Sequence, residues 1–347
     1  MSNKMPLVSI LIPNYNYGCY LKQCLDSVLN QTYENYEVIF RDNNSLDNSY
    51  EVALSYIPKF KERGIFYSVS RNKYNVGSFK NSCKCARDCE GDYMMYLSSD
   101  DYLEPTFIEK CMRILIDNQN VGMVMTHRNE VDEFGKVYEQ PPFYNKSCII
   151  DGEAQASVFM MSGIAVPSQV VCRRSIFNKT DPFMLSLQVA GDWCQNFLFS
   201  CFSDIGYIKE PLCNYRIHSG NETNVSEINL FGIFEHYQII NYFLKLGNEF
   251  KYKNVIERYN EAIKKLGSMC LRYTLKMLKA DEMISAKRYL QLAPVFDENI
   301  IKNEQYKKMK SWVKLSSNEL KEILKNEQDI VRKVSYDPPI GSKEIIV

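Results

Sequence analysis

Tyr93-Met94-Met95-Tyr96-Leu97-Ser98-Ser99-Asp100-Asp101 is the stretch from which the rest of the chain is best read. Its first five residues form an unbroken apolar run, the pattern of a strand buried on both faces. Its last two are adjacent carboxylates, which repel one another just past a buried strand unless something cationic sits beside them. A loop turn accounts for two aspartates as well, because Asp is common in turns and at helix starts. A hard divalent ion that also holds a diphosphate would give the pair a purpose. The neighbouring segments decide between the two.

Upstream, Leu7 to Ile12 is a second buried-strand run, stopped by Pro13. Leu21, Cys24, Leu25, Val28 and Leu29 then recur at the three-and-four spacing of an amphipathic helix. Tyr36 to Phe40 predicts another strand, ending in the polar cluster Arg41-Asp42-Asn43-Asn44-Ser45. Tyr50, Val52, Leu54 and Ile57 predict a helix cut by Pro58; Ile65 to Val69 predicts a strand, and Asn75-Val76-Gly77 opens a helix. Downstream come a helix through Phe107, Cys111 and Leu115 and a strand from Val121 to Thr126. This alternation predicts an α/β fold with a mostly parallel, doubly wound sheet. Ligands of such sheets bind beyond the carboxyl ends of the strands, where each polar cluster lies.

After about residue 215 the texture changes. Helices are expected over Leu230 to Leu246, Val255 to Met277 and Ala286 to Leu292. Lys302 to Lys333 is lysine-rich, with Trp312, Val313, Leu315, Leu320, Ile323 and Leu324 on one side. The expected division is residues 1–225 as the α/β unit and 226–347 as an α-helical extension, with a loosely held tail after Pro338.

Composition narrows the function. At 347 residues and 45% hydrophobic content the chain can bury a large core. Lys plus Arg balances Asp plus Glu at 42 each, so no global field draws it to nucleic acid. The twelve cysteines are scattered, and Cys83, Cys85 and Cys89 lack the paired spacing of a zinc site. With no charged start and apolar segment ahead of the first strand, and no run long enough to span a membrane, a cytoplasmic protein with free thiols is expected. The sequon Asn221-Glu222-Thr223 then carries no weight. A basic C-terminal helix with one tryptophan could lie on an anionic membrane surface, but a solvated helix packed on the protein explains the same letters.

Eight motifs, in order, carry a resemblance. Val8 to Asn16, Leu25 to Tyr33, Glu37 to Ser45, Asn75-Val76-Gly77, Gly91-Asp92-Tyr93, Leu97 to Asp101, Gly191-Asp192-Trp193 and Arg216 to Asn221 together resemble a family 2 glycosyltransferase over roughly residues 5–225. The resemblance implies the GT-A fold, a Rossmann-like sheet that binds a nucleotide-sugar with Mn²⁺ or Mg²⁺ and transfers the sugar with inversion. It also implies a glycan or lipid-linked acceptor, with peripheral contact at the inner face of the membrane as a second possibility.

By the same resemblance Asp101 ligates the metal and Asp100 contacts the ribose, with Pro13 and Ser99 in the nucleotide-sugar site. Many family members carry another Asp where this chain has Ser98. Asp192 aligns with the catalytic base, which takes the acceptor hydroxyl's proton; capping the helix from Trp193 to Phe202 is the competing role. Tyr15 is placed to stack on the nucleobase. Asp42 is placed to accept the uracil N–H or to close a turn, which favours UDP among donors. His218, in a Gly/Ser/Asn loop, is expected to complete the metal's shell on a loop that closes over the diphosphate, a surface-exposed loop histidine being the competing reading. Arg216 is expected on phosphate oxygens and Lys80 on the donor's base or phosphate. Two other readings compete. A sugar-nucleotide pyrophosphorylase would need a Gly-rich basic loop after the first strand, which Pro13 to Gly18 is not. A non-catalytic nucleotide-sugar or glycan-binding module fits Ser98 and Gly191 but not the retained Asp101 and Asp192.

Overall fold

The computed structural model describes residues 5–180, 187–218, 220, 226–325, 327 and 334–347. The N-terminal part alternates as the apolar runs predict: β1 Val8–Asn14, α1 Gly18–Leu29, β2 Tyr36–Asp42, α2 Ser49–Ser55, α3 Ile57–Glu62, β3 Phe66–Arg71, α4 Ser78–Arg87 and β4 Tyr93–Tyr96. There follow β5 Tyr102–Leu103, α5 Phe107–Asp117, β6 Val121–Asp132, β7 Val137–Tyr138, β8 Cys148–Ile150 and α6 Gly152–Phe159. Then come β9 Val170–Arg173, α7 Arg174–Phe177, α8 Gly191–Phe202 and β10 Asp204–Ile217, with β11 Lys343–Glu344 beyond the C-terminal helices.

Among the described residues these strands form one sheet in the order β11-β8-β10-β6-β9-β4-β1-β2-β3, with β5 on β10 and β7 on β6. β4, β1, β2 and β3 are mutually parallel, as are β6 and β10. The antiparallel pairings are short, two or three residues each. Since β9 runs antiparallel to both β4 and β6, the carboxyl ends of β1, β2, β4, β6 and β10 all lie along one edge.

Two local expectations are corrected. Pro13 does not stop β1; it stays in register with Arg41, beyond the β4 pairing that ends at Leu11, where a missing N–H is tolerated. Strand β6 runs past Thr126 to Asp132, because the polar residues His127 to Asn129 keep pairing with β10.

Side chains alternate across the sheet. Val8, Ile10, Ile12, Val38 and Phe40 pack with Leu21, Leu25 and Phe107 on one face. Leu11, Ile39 and Met94 face the other way, in a cluster that also contains Phe243, Leu266, Tyr289 and Trp312. The C-terminal helices Phe231–Phe250, Tyr259–Lys279, Met283–Phe296, Glu304–Trp312 and Ser317–Leu324 therefore share a core with the sheet. The shift in texture after about residue 215 is not a change of core.

The lysine-rich stretch forms two helices, and Tyr306, Met309, Trp312, Leu320 and Leu324 are buried. The tryptophan that would seat on a membrane surface thus lies inside the protein. No described helix is long and apolar enough to cross a membrane.

The tail is not loose. Tyr336 bridges to Tyr144 and its ring meets Phe143 at 5.3 Å; β11 pairs with the edge strand β8; and the Ile345 N–H donates to the Ser147 carbonyl at 3.0 Å. An edge strand left with unpaired backbone groups explains the docking.

Candidate active site

Beyond β4 the chain turns so that the Asp101 N–H donates to the Ser98 carbonyl at 3.0 Å, and both carboxylates of the pair end up buried. Asp101 is held inward: its Oδ2 accepts from the Ser168 hydroxyl at 2.6 Å and its Oδ1 from the Arg216 backbone N–H at 2.8 Å. Burial and the adjacent Asp100 charge push its carboxyl well above the usual carboxylate range. Asp100 Oδ2 lies 3.1 Å from His218 Nε2. His218 Nδ1 accepts the Gly220 N–H at 3.1 Å, which puts the ring proton on Nε2 and makes Asp100 its acceptor. Tyr17 and Tyr20 wall the imidazole, with ring centroids 5.2 and 5.1 Å away. His218 is therefore brought to Asp100 and not to Asp101, its partner in the sequence reading. Ser219, Asn221 and the sequon lie outside the described residues.

Arg216 has a different job from the one expected. Its guanidinium is buried, stacked over Tyr20 at 4.7 Å, and donates to the Asp100 carbonyl (2.9 Å), the Asp132 carbonyl (2.9 Å) and Gln23 Oε1 (2.7 Å). With Nε and both terminal nitrogens engaged, it ties α1 and β6 to the Asp100 turn.

At the ends of β1 and β2, Asp42 is fully buried. Its Oδ1 accepts from Asn14 Nδ2 (3.0 Å) and the Ser45 hydroxyl; its Oδ2 accepts from the Ser45 N–H (2.9 Å) and pairs with Arg71 Nε (3.1 Å). Four donors fill the four lone-pair positions of a carboxylate, so the turn-closing role is realised and a uracil N–H would have to displace a donor. A web of asparagines continues outward: Asn72 donates to Asn43 and Asn81, and Asn43 to Asn75, joining the β2 and β3 ends to the start of α4. Lys84 reaches this web through Asn72 Oδ1 at 2.8 Å, whereas Lys80 points to the exposed surface. Tyr15 stands 39% exposed, its ring open to a stacking partner, next to half-buried Pro13. Ser99 is buried with its hydroxyl lacking any partner.

Asp192 is the second residue of α8, half-buried, with its Oδ1 accepting the N–H of Trp193 at 2.7 Å. Desolvation raises its carboxyl to about 6, partly offset by that hydrogen bond and by Arg128. Arg128 and Tyr215 are the site residues that motif reading missed. Arg128 donates to Gln169 Oε1 at 2.8 Å and lies over the Tyr215 ring at 4.6 Å. The Tyr215 phenol is pushed up to about 12 by burial, moderated by Arg128 and reinforced by Asp101, Asp100 and Asp192. The available signal was an Arg just past the apolar run Val121 to Thr126, at a strand's carboxyl end.

Among the described residues no cluster of three or more His, Cys, Asp or Glu side chains forms a self-sufficient metal cage. Asp100 Oδ2 and His218 Nε2 offer a hard oxygen and an imidazole nitrogen at one point once a cation displaces the proton they now share, the imidazole then carrying its proton on Nδ1 and giving up the Gly220 bond. That set fits Mn²⁺ or Mg²⁺ when substrate oxygens complete the shell. The orphaned Ser99 hydroxyl beside Asp100 is the kind of group a bound polar ligand satisfies.

The family model for "Glycosyl transferase family 2" matches residues 9–202. The chain is 25% identical over 284 residues to a chondroitin synthase of Escherichia coli, covering 80% of this chain and 37% of that protein. It is 28% identical over 234 residues to a hyaluronan synthase of Pasteurella multocida, covering 66% and 22%. An uncharacterized glycosyltransferase of Haemophilus influenzae is 36% identical over 129 residues, 36% of this chain and 47% of that one. The chain thus spans from 22% to 61% of the length of the first curated relatives it matches. In fold it is similar to S. aureus TarS 1-349 in complex with UDP-GlcNAc, with a TM-score of 0.53 at 17% identity over 98% of this chain and 99% of that one.

Proposed function

This chain belongs to glycosyltransferase family 2 and has the GT-A fold, and from that premise we propose that it is a metal-dependent inverting transferase. It moves a sugar from a nucleotide-sugar, with a UDP-sugar favoured, to a hydroxyl of a glycan or lipid-linked acceptor. The observation that carries the reading is the buried Asp100-Asp101 pair at the carboxyl end of β4, with Asp101 held by Ser168 and the Arg216 backbone and Asp100 set against His218. The UDP-GlcNAc complex of the structurally similar TarS and the glycan-synthase names of the relatives support the donor and acceptor classes.

In this reading Asp192 takes the acceptor hydroxyl's proton as that oxygen attacks the anomeric carbon. The bond from that carbon to the diphosphate breaks on the opposite face, and the nucleoside diphosphate leaves with the bonding electrons. A carboxyl poised at about 6 is ionised at neutral pH yet remains a stronger base than an ordinary aspartate. Asp100 and His218 would hold the cation, with Asp101 fixing the turn beneath them. When bound, that ion supplies Lewis-acid stabilisation of charge on the departing diphosphate. Ser99 offers its free hydroxyl to the donor, and Tyr15 its ring to the nucleobase.

The test is calorimetric titration of UDP, GDP and dTDP with and without Mn²⁺, on the unaltered protein and on Asp100→Ala and His218→Ala. Metal-dependent UDP binding that both substitutions weaken supports the assignment. UDP affinity indifferent to Mn²⁺, or to both substitutions, refutes it.

A further inference from the structure

Three consecutive backbone N–H groups just ahead of α8 converge on one carboxylate from the C-terminal helices. Glu235 Oε1 accepts from Gln188 at 2.6 Å; Oε2 accepts from Val189 at 2.7 Å and Ala190 at 2.9 Å. The Glu235 side chain is buried. It projects from the helix Phe231–Phe250, whose residues Ile233, Ile239, Ile240 and Phe243 already supply its apolar packing. A leucine at 235 would pack there too, but it would leave three N–H groups without their acceptor, that of Ala190 in a buried position. The charge is therefore explained by what it holds.

What it holds leads directly to Asp192. Ala190 is the N-cap residue of α8 and has no side chain with which to cap it. Helix starts leave backbone donors unpaired, and here a residue far along the chain supplies acceptors for the segment that feeds the helix. The next residue of the same C-terminal helix, His236, sets its ring edge-on to Trp193 at 5.1 Å. Trp193 is pinned from the other side by the bond from its Nε1 to the Phe159 carbonyl at 2.5 Å. Asp192 thus sits between a backbone segment clamped by Glu235 and a ring backed by His236.

We infer that Glu235 is a positioning residue for the base: the carboxylate clamp from the helical region fixes the Gln188–Ala190 segment and, through it, the Asp192 carboxylate facing the acceptor. This rests on the reading of Asp192 as base. The C-terminal helices then complete the catalytic site, and a displacement of about 1 Å at the base is enough to cost on the order of 10²-fold in rate.

The experiment compares Glu235→Gln, Glu235→Asp and Asp192→Asn. Turnover is read as UDP release from UDP-GlcNAc, UDP-glucose and UDP-glucuronate, UDP affinity by calorimetry with Mn²⁺, and backbone order by amide hydrogen exchange. Glu235→Gln is expected to lower kcat by about 10- to 100-fold with UDP affinity unchanged. It should also speed exchange across residues 187–193 while the helix 231–250 keeps its protection. Glu235→Asp, which keeps the charge on a shorter arm, should fall between Glu235→Gln and the unaltered protein and covers the case in which Glu235→Gln folds poorly. Unchanged exchange at 187–193 overturns the inference, as does a kcat that stays high or a UDP affinity that falls in step with it. Full turnover in Asp192→Asn would instead remove the base itself. A silent Asp192→Asn beside an active Glu235→Gln would leave the base standing and refute only the clamp.

Discussion

Replacing Asp192 by Asn keeps the shape of the side chain and its acceptor for the Trp193 N–H, so it separates charge from capping. The carboxyl sits at about 6, against about 3.9 for an aspartate in an unfolded chain. A group whose folded value is raised favours the folded state while protonated. That contribution is fully present below about 3.9 and is lost as pH rises through about 6. At pH 7 the ionised carboxylate therefore costs the fold up to ~3 kcal/mol, from two units at 1.36 kcal/mol each. Asp192→Asn should abolish transfer and yet raise the unfolding temperature at pH 7 by a few degrees, a gain that vanishes near pH 4. The unaltered enzyme should show an acid limb in kcat/KM with its midpoint near 6. At pH 5 it would run at about a tenth of its plateau, where an ordinary carboxylate would retain more than about nine tenths. Arg128 lowers the Asp192 value, so Arg128→Ala should move the limb to higher pH. Scanning calorimetry and a pH-rate series check all of this. A midpoint near 4, or an Asn variant that is less stable at pH 7, would return Asp192 to the role of a helix cap.

Two further outcomes are expected. Arg216→Met should destabilise the protein by about 3 kcal/mol or more, because it leaves the Asp100 and Asp132 carbonyls and Gln23 without their donor; a melt that hardly moves would contradict the strut role. Tyr15→Ala should weaken UDP binding by ~1–3 kcal/mol while leaving the melting temperature in place, since the ring is exposed and open; unchanged calorimetric affinity would show that the base stacks elsewhere.

The legible parts of this molecule were those where burial writes itself into composition. β1, β2 and β4 are covered on both faces, so Ile10, Val38 and Met95 sit in apolar runs that announce strands. β10 and the outer half of β6 carry His127, Arg128, Asn214 and Arg216 because they line the site, and polar strands give no such run. Motif order brought Asp100, Asp101, Asp192 and His218 to one edge, but it could not say which carboxylate His218 meets. That is decided by Ser168 and by the Arg216 backbone, which draw Asp101 inward. Glu235 was invisible for a plainer reason: its three partners are backbone N–H groups, which every residue but proline has.

The docked tail also bears on how the chain folds. Asn145 donates to Asp337 across 192 positions of sequence, and β8 gains its outer partner from β11, the only one among the described residues. Pairings of such long separation form late, after the entropy of closing the intervening chain has been met. During synthesis β8 must wait, with its outer backbone groups unpaired, until the whole helical region has been made. For that interval the nascent chain carries an open strand edge, and a second nascent copy could add to it.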